Sequence, residues 1–136
     1  MGHWLFKSDP EAYSFDDLER DKKTTWDGVR NPLALRHLRS AKKGDSVFIY
    51  HSGEQKAIVG TAEIIKEAYP DPKAKDPKLF VVDIQFTKRV KRPVILAEVK
   101  ALKEFADFPL TRMPRLSVMP VTDSQWKSLS KMAGEK

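Results

Sequence analysis

Apolar positions along this chain follow two periods, one close to 3.6 residues and one close to 2, and Pro, Gly and capping residues mark the changeovers. His3 to Ser8 is aromatic and apolar enough for a first strand, which Asp9-Pro10 stops. Ser14-Phe15-Asp16-Asp17 has the form of a capping box. The Ser14 hydroxyl can accept from the amide of Asp17 while the Asp17 carboxylate reaches back, which predicts a short helix through Leu18 to about Arg20. Asn31-Pro32 predicts a second helix start, with Asn at the N-cap and Pro at N1, where a missing N–H costs nothing. That helix begins at Leu33 and is expected to end in Lys42-Lys43-Gly44, cations in the last turn followed by a glycine stop.

The period then shortens. Ser46 to Tyr50 predicts a strand, Ser52 to Gln55 a turn, and Ala57 to Ile65 the returning partner of a hairpin. Gly60 in mid-strand predicts a bulge or a close backbone approach. Tyr69-Pro70-Asp71-Pro72 through Asp76-Pro77 is expected to be a surface loop, because Pro resists regular structure. Leu79 to Val90 predicts a long strand that Val94 to Leu96 extends. From Glu98 to Ala106 the spacing of Val99, Leu102 and Phe105 predicts a helix with that face inward. Arg115 to Met119 reads as a short strand closed by Pro120. Thr122-Asp123-Ser124-Gln125 is a second capping box, opening a last helix with Trp126, Leu129 and Met132 or Ala133 on one face. Strands and helices mix without a βαβ repeat, which implies an α+β fold with a curved, mostly antiparallel sheet.

With 136 residues and no linker-like tract, residues 1–136 are expected to form a single domain. No apolar stretch approaches the ~20 residues a membrane helix needs, and the first residues do not read as a signal peptide. The absence of Cys excludes disulfide scaffolds, thiolate metal sites and cysteine nucleophiles. A cytoplasmic, monomeric globular protein is expected. The net charge of +6 favours polyanionic partners. The densest basic run, Lys88-Arg89-Val90-Lys91-Arg92, is open to two readings, phosphate contact or a solvated strand end.

Catalytic patterns are missing. There is no phosphate loop, no G-x-G-x-x-G, no H-E-x-x-H and no nucleophile elbow. His3, His37 and His51 form no i, i+4 pair, so neither a metal nor a cofactor is expected. Four segments nonetheless concentrate chemistry. They are Phe6-Lys7-Ser8-Asp9-Pro10, Trp26-Asp27-Gly28-Val29-Arg30-Asn31, Tyr50-His51-Ser52-Gly53 and Arg115-Leu116-Ser117-Val118-Met119-Pro120-Val121. Taken one at a time, Trp26 is equally a core aromatic, Asn31 a cap, Tyr50 a half-buried strand residue and Arg115 a solvated cation. Together they hold an aromatic face for stacking, donors and acceptors for a base edge, and cations for phosphate. The residues alone reach an aromatic and polar pocket on a basic domain.

The same segments resemble the EVE domain family. The resemblance continues through Tyr13-Ser14-Phe15-Asp16-Asp17-Leu18, Gly44-Asp45, Ile58-Val59-Gly60-Thr61-Ala62-Glu63 and Tyr69-Pro70-Asp71, nearly the whole length. Two features depart from the family pattern. Asp9 stands where Glu is usual, and the stretch from Lys66 to Phe80 is shorter, as in a compact bacterial form. The resemblance implies a PUA-like curved β pseudo-barrel with flanking helices, and a non-catalytic module that takes a modified base into a pocket. The base is expected to be a 5-substituted cytosine in DNA, or else a modified RNA base.

On that reading Trp26 and Tyr50 stack on the base, Lys7, Ser8, Asn31, Ser52 and the backbone near Ser117 pair with its edge, and Arg30 and Arg115 hold the adjoining phosphate. His51, Leu116 and Val118 complete the set. The rival expectations are an enzyme acting on a nucleotide or modified base, which would need a nucleophile or metal, and a protein-interaction domain.

Overall fold

The computed structural model describes residues 2–134. Its core is a six-stranded sheet built from β1 (His3–Ser8), β2 (Lys23–Trp26), β3 (Ser46–His51), β4 (Ala57–Pro70), β5 (Phe80–Ile95) and β6 (Val118–Val121). The strands lie in the order β2-β5-β4-β3-β1-β6. Every neighbouring pair is antiparallel except β1 with β3, which run parallel with Lys7 opposite Tyr50. The helices are α1 (Phe15–Asp21), α2 (Pro32–Ser40), α3 (Leu96–Lys100), α4 (Pro109–Arg112) and α5 (Asp123–Met132), with a 3-10 turn at Lys103–Phe105. The fold is the expected α+β arrangement.

The sheet is strongly curled. Three strands separate β1 from β2 in the sheet order, a distance near 19 Å if flat, at about 4.8 Å per strand. The Phe6 and Trp26 rings nevertheless meet at 5.5 Å. Breaks in register supply the bend. Val59 is extra where Ile49 faces Gly60 and Tyr50 faces Ile58, and β5 gains residues between Arg89 and Val94 opposite Ile58 and Gly60. Gly60 is required there for a second reason. A Cβ at this position would lie 2.0 Å from Cζ of the fully buried Phe15. α2 fills the opening of the curl, lying against β6 on one side and β4 and β5 on the other.

The capping residues act as the sequence predicts. Ser14 Oγ accepts from Asp17 N at 3.0 Å and Asp17 Oδ2 accepts from Ser14 N at 2.9 Å. Asn31 Oδ1 accepts from Leu33 N and Ala34 N, and Thr122 and Gln125 close the box at α5. α2 ends at Ser40, earlier than expected, because Lys42 N donates to Asp45 Oδ2 at 2.8 Å instead of continuing the helix. The buried Asp45 carboxylate also accepts from Gly2 N and Trp4 Nε1, each at 2.9 Å.

Several boundaries differ from the sequence reading. β2 lies where the sequence reading assigns no element; Lys22, with φ 69°, turns the chain so that Lys23–Trp26 can pair with β5. β4 continues through Tyr69 and Pro70, which face Val81 and Phe80, so only residues 71–79 form the loop. β5 is one continuous strand of 16 residues. The expected helix from Glu98 to Ala106 is broken at Leu102, whose extended backbone (φ −96°, ψ 130°) resets the phase. Val99 and Phe105 are buried while Leu102 is 37% exposed. β6 begins at Val118 and contains Pro120, which an edge strand tolerates. No local signal had predicted α4.

The basic run at the end of β5 is largely neutralised from within. Arg89 pairs with Asp16 and Glu19 of α1, and Arg92 pairs with Glu98 and donates to Met132 O. Of the two readings of this run, the strand-end one fits these contacts.

Candidate nucleic-acid interface

Curling the sheet brings the ends of β1 and β2 together, and a cleft of about 690 Å³ opens between them. That volume lies within the usual range for small-ligand sites. One wall comes from β1. Lys7 N donates to Ser117 O at 2.8 Å and Lys7 Nζ donates to Pro114 O at 2.7 Å, which ties the 114–117 turn to the strand and puts Ser117 on the cleft. Lys7 is half-buried, with its ammonium 5.8 Å from the Tyr50 ring centroid. Burial lowers its pKa below the ordinary lysine value. Ser8 Oγ donates to Tyr13 O, while Ser8 O accepts from Ser52 N at 2.9 Å.

Asp9 organises the turn that follows. Its carbonyl accepts from Ala12 N and Tyr13 N, and its Oδ1 accepts from Glu11 N, each at 2.9 Å. The shorter Asp side chain is therefore engaged in a local Asx turn and still borders the cleft.

The opposite wall is β2 and the loop after it. Trp26 is 8% exposed, packs on Phe6, and meets the edge of Tyr13 at 6.4 Å and 87°. Tyr13 OH donates to Asp21 Oδ2 at 2.9 Å, and burial raises its pKa. Thr24 and Thr25 also line the cleft, the Thr25 hydroxyl donating to Asp83 Oδ1 at 2.9 Å, and Gly28, at φ +77°, turns the loop in a conformation that side chains resist. Two cations on the cleft, Lys7 and Lys73, are matched by two carboxylates, Asp9 and Asp27. The cleft is thus formally neutral, aromatic and rich in hydrogen-bonding groups.

Of the residues singled out from sequence, Lys7, Ser8, Trp26 and Ser117 come together on this cleft. The others take different places. Tyr50 is buried behind Lys7 and does not line the cleft, because its strand lies one position further into the sheet. His51 is buried with both ring nitrogens engaged: Nε2 accepts from Phe15 N at 2.9 Å, and Nδ1 sits 2.8 Å from Gln55 Oε1. An accepting Nε2 makes Nδ1–H the donor to Gln55. Ser52 caps the end of β1 through Ser8 O. Leu116 and Val118 are core anchors. The Asn31 side-chain oxygen is occupied by the cap of α2. Arg115 is exposed beside the turn, and Arg30 borders an adjoining groove instead of the cleft. Tyr13, Thr24 and Thr25 were missed. A β-branched pair before Trp26 was the available hint of a strand there.

Among the described residues, no group of three His, Cys, Asp or Glu is arranged to hold a metal, and no helix is long and apolar enough to cross a membrane.

A curled, mostly antiparallel sheet with flanking helices defines a PUA-like α+β protein. An ASCH protein from Zymomonas mobilis, 16% identical with a TM-score of 0.62, shares the fold alone. Residues 2–132 match the family described as EVE domain, and the chain belongs to that family. Human thymocyte nuclear protein 1 is 37% identical over 158 residues, covering 91% of this chain and 70% of that protein. A Rhodopseudomonas palustris protein solved by NMR is 46% identical, with a TM-score of 0.92 over 98% of this chain and 94% of that one. The human THYN1 protein, solved in complex with DNA containing 5-methylcytosine, is 32% identical with a TM-score of 0.91 over 100% of this chain and 99% of that one.

Proposed function

We propose that this chain is a non-catalytic reader of nucleic acid that takes a modified base, a 5-substituted cytosine foremost, into the cleft between β1 and β2. The observation that carries the reading is the chemistry of the cleft. It is formally neutral, walled by Trp26 and Tyr13 and lined by the polar residues Ser8, Thr24, Thr25 and Ser117. A base is neutral, flat and edged with donors and acceptors, so it suits such a site better than a phosphate does. The complex of the human THYN1 protein with 5-methylcytosine-containing DNA supports the same ligand class for a chain of this fold. In this reading Trp26 supplies the aromatic surface and Lys7 and Ser117 address the base edge. Base–aromatic stacking is typically worth ~1–3 kcal/mol.

Fluorescence anisotropy with matched oligonucleotides differing only at one cytosine tests the proposal. DNA and RNA, single strands and duplexes, belong in the same series. The modified oligonucleotide should bind tighter than its unmodified twin. Single strands should bind tighter than duplexes, since extruding a base costs a few kcal/mol. Equal affinity for every cytosine variant would overturn the reading, as would multiple turnover of any modified nucleoside or oligonucleotide.

A further inference from the structure

The cleft does not end at Lys73. A smaller depression of about 240 Å³ shares Asp27, Gly28, Val29 and Lys73 with it, and shares Arg30, Leu79 and Phe80 with a groove of about 820 Å³ on the far side. That groove runs between α2 and the 71–79 loop, and its charge is unlike that of the cleft. Arg30, Arg36, Arg39 and Lys78 border it against a single carboxylate, Asp76. Among the described residues none of these four cations has a carboxylate partner, in contrast to Arg89 and Arg92. The Arg39 guanidinium lies 4.6 Å from the Phe80 ring centroid, which holds it at the groove wall without neutralising it.

We propose that this groove is the track for the phosphodiester backbone of the strand whose base enters the cleft, with Arg30, Arg36, Arg39 and Lys78 as its phosphate contacts. The inference rests on the nucleic-acid reading above and assigns the polymer's path. A formally neutral cleft joined to a groove of net charge +3 (four cations less one carboxylate) divides the ligand as a nucleotide itself divides, base from phosphate. The arginines of α2 stand on one face at i and i+3. From Pro32 to Ser40 the helix extends ~12 Å at 1.5 Å per residue, so the groove it walls is long enough for more than one phosphate. The Lys88–Arg92 run, which the sequence alone had offered for this role, has its guanidinium groups paired to carboxylates.

The test is a salt titration of binding to two single-stranded oligonucleotides, one carrying the modified cytosine and one without it. Wild type is compared with Arg36→Gln/Arg39→Gln/Lys78→Gln and with a control of equal charge loss, Arg89→Gln/Lys91→Gln/Arg92→Gln. All three groove residues are exposed, and thermal melts check that each variant folds. Each lost phosphate contact should lower the slope of log K against log salt by ~0.7, so the groove variant should lose ~2 in slope. Extrapolated to 0.1 M salt this is on the order of 100-fold in affinity, for both oligonucleotides alike. The control should keep most of the wild-type slope. An unchanged slope in the groove variant, or an equal fall in the control, overturns the track. If the groove variant weakens binding while wild type shows no preference between the two oligonucleotides, the track stands and the modified-base reading fails.

Discussion

Replacing Trp26 with Ala probes both the core and the cleft, and the two effects can be read separately. The indole is 8% exposed, packed on Phe6 and edged by Tyr13, so most of its surface belongs to the interior. A buried indole removes on the order of 200 Å² from water. At ~25 cal/mol/Å² that is about 5 kcal/mol. Water can reach the truncated site through the cleft, so the loss should fall at about 3–5 kcal/mol, the usual range for truncating a large aromatic. For a chain of this size that lowers the melting temperature by roughly 10–20 °C. The remaining accessible surface borders the cleft, and losing it should weaken binding of a modified oligonucleotide by ~1–3 kcal/mol, or roughly 5- to 150-fold. Trp26→Phe keeps a smaller ring and should fall between wild type and Ala in both measurements. The assay pairs thermal melts with titrations normalised to the folded fraction. A large melting shift with unchanged affinity per folded molecule would remove Trp26 from the site. An unchanged melting temperature would refute the packing role assigned to it.

Two further substitutions test what shapes the frame of the cleft. Gly60→Ala places a methyl 2.0 Å from Phe15 Cζ and should cost about 3 kcal/mol or more by denaturant unfolding, at or above the top of the usual overpacking range. The double variant Gly60→Ala/Phe15→Leu should be destabilised by less than the sum of its parts by at least ~1 kcal/mol; strict additivity would show that the close approach is not what demands glycine. Asp45→Asn should cost about 2–4 kcal/mol, because its amide group must face a donor where the carboxylate accepted one. Burial raises the Asp45 pKa, but hydrogen bonds from Trp4, Lys42 and Gly2 outweigh it, so the folded-state value lies below the ordinary 3.8. Its stabilisation is therefore complete above 3.8 and lost as pH falls through the lowered value, an acid limb of the stability curve that the Asn variant should flatten.

What the sequence determined by itself is mostly local. The starts of α1, α2 and α5 follow from a capping residue and the amides two or three positions on, groups that meet in any helical turn. The β3–β4 hairpin follows from two apolar runs joined by a short turn, and the constraint at Gly60 from a glycine where strand residues should be bulky. Ordered strings resembling the EVE domain carried the family and the fold, both of which hold over residues 2–132. Lys7, Ser8, Trp26 and Ser117 were also visible in advance as chemically unusual, although what joins them was not.

Contacts between distant segments decided the rest. Lys23–Trp26 is a strand because β5 lies beside it, and the helix expected through Leu102 breaks where Val99 and Phe105 are both drawn into the core. The Lys88–Arg92 run is open to two readings until α1 brings Asp16 and Glu19 against Arg89, from seventy or more positions away in the chain. Tyr50 and His51 looked available until the parallel pairing of β1 with β3 placed them behind the cleft wall. The cleft itself exists only because register breaks curl the sheet until β1 and β2, with three strands between them, face each other. Curvature of that kind is the sum of small offsets along β4 and β5, set by how side chains pack across the whole sheet, and no window of neighbouring residues contains it.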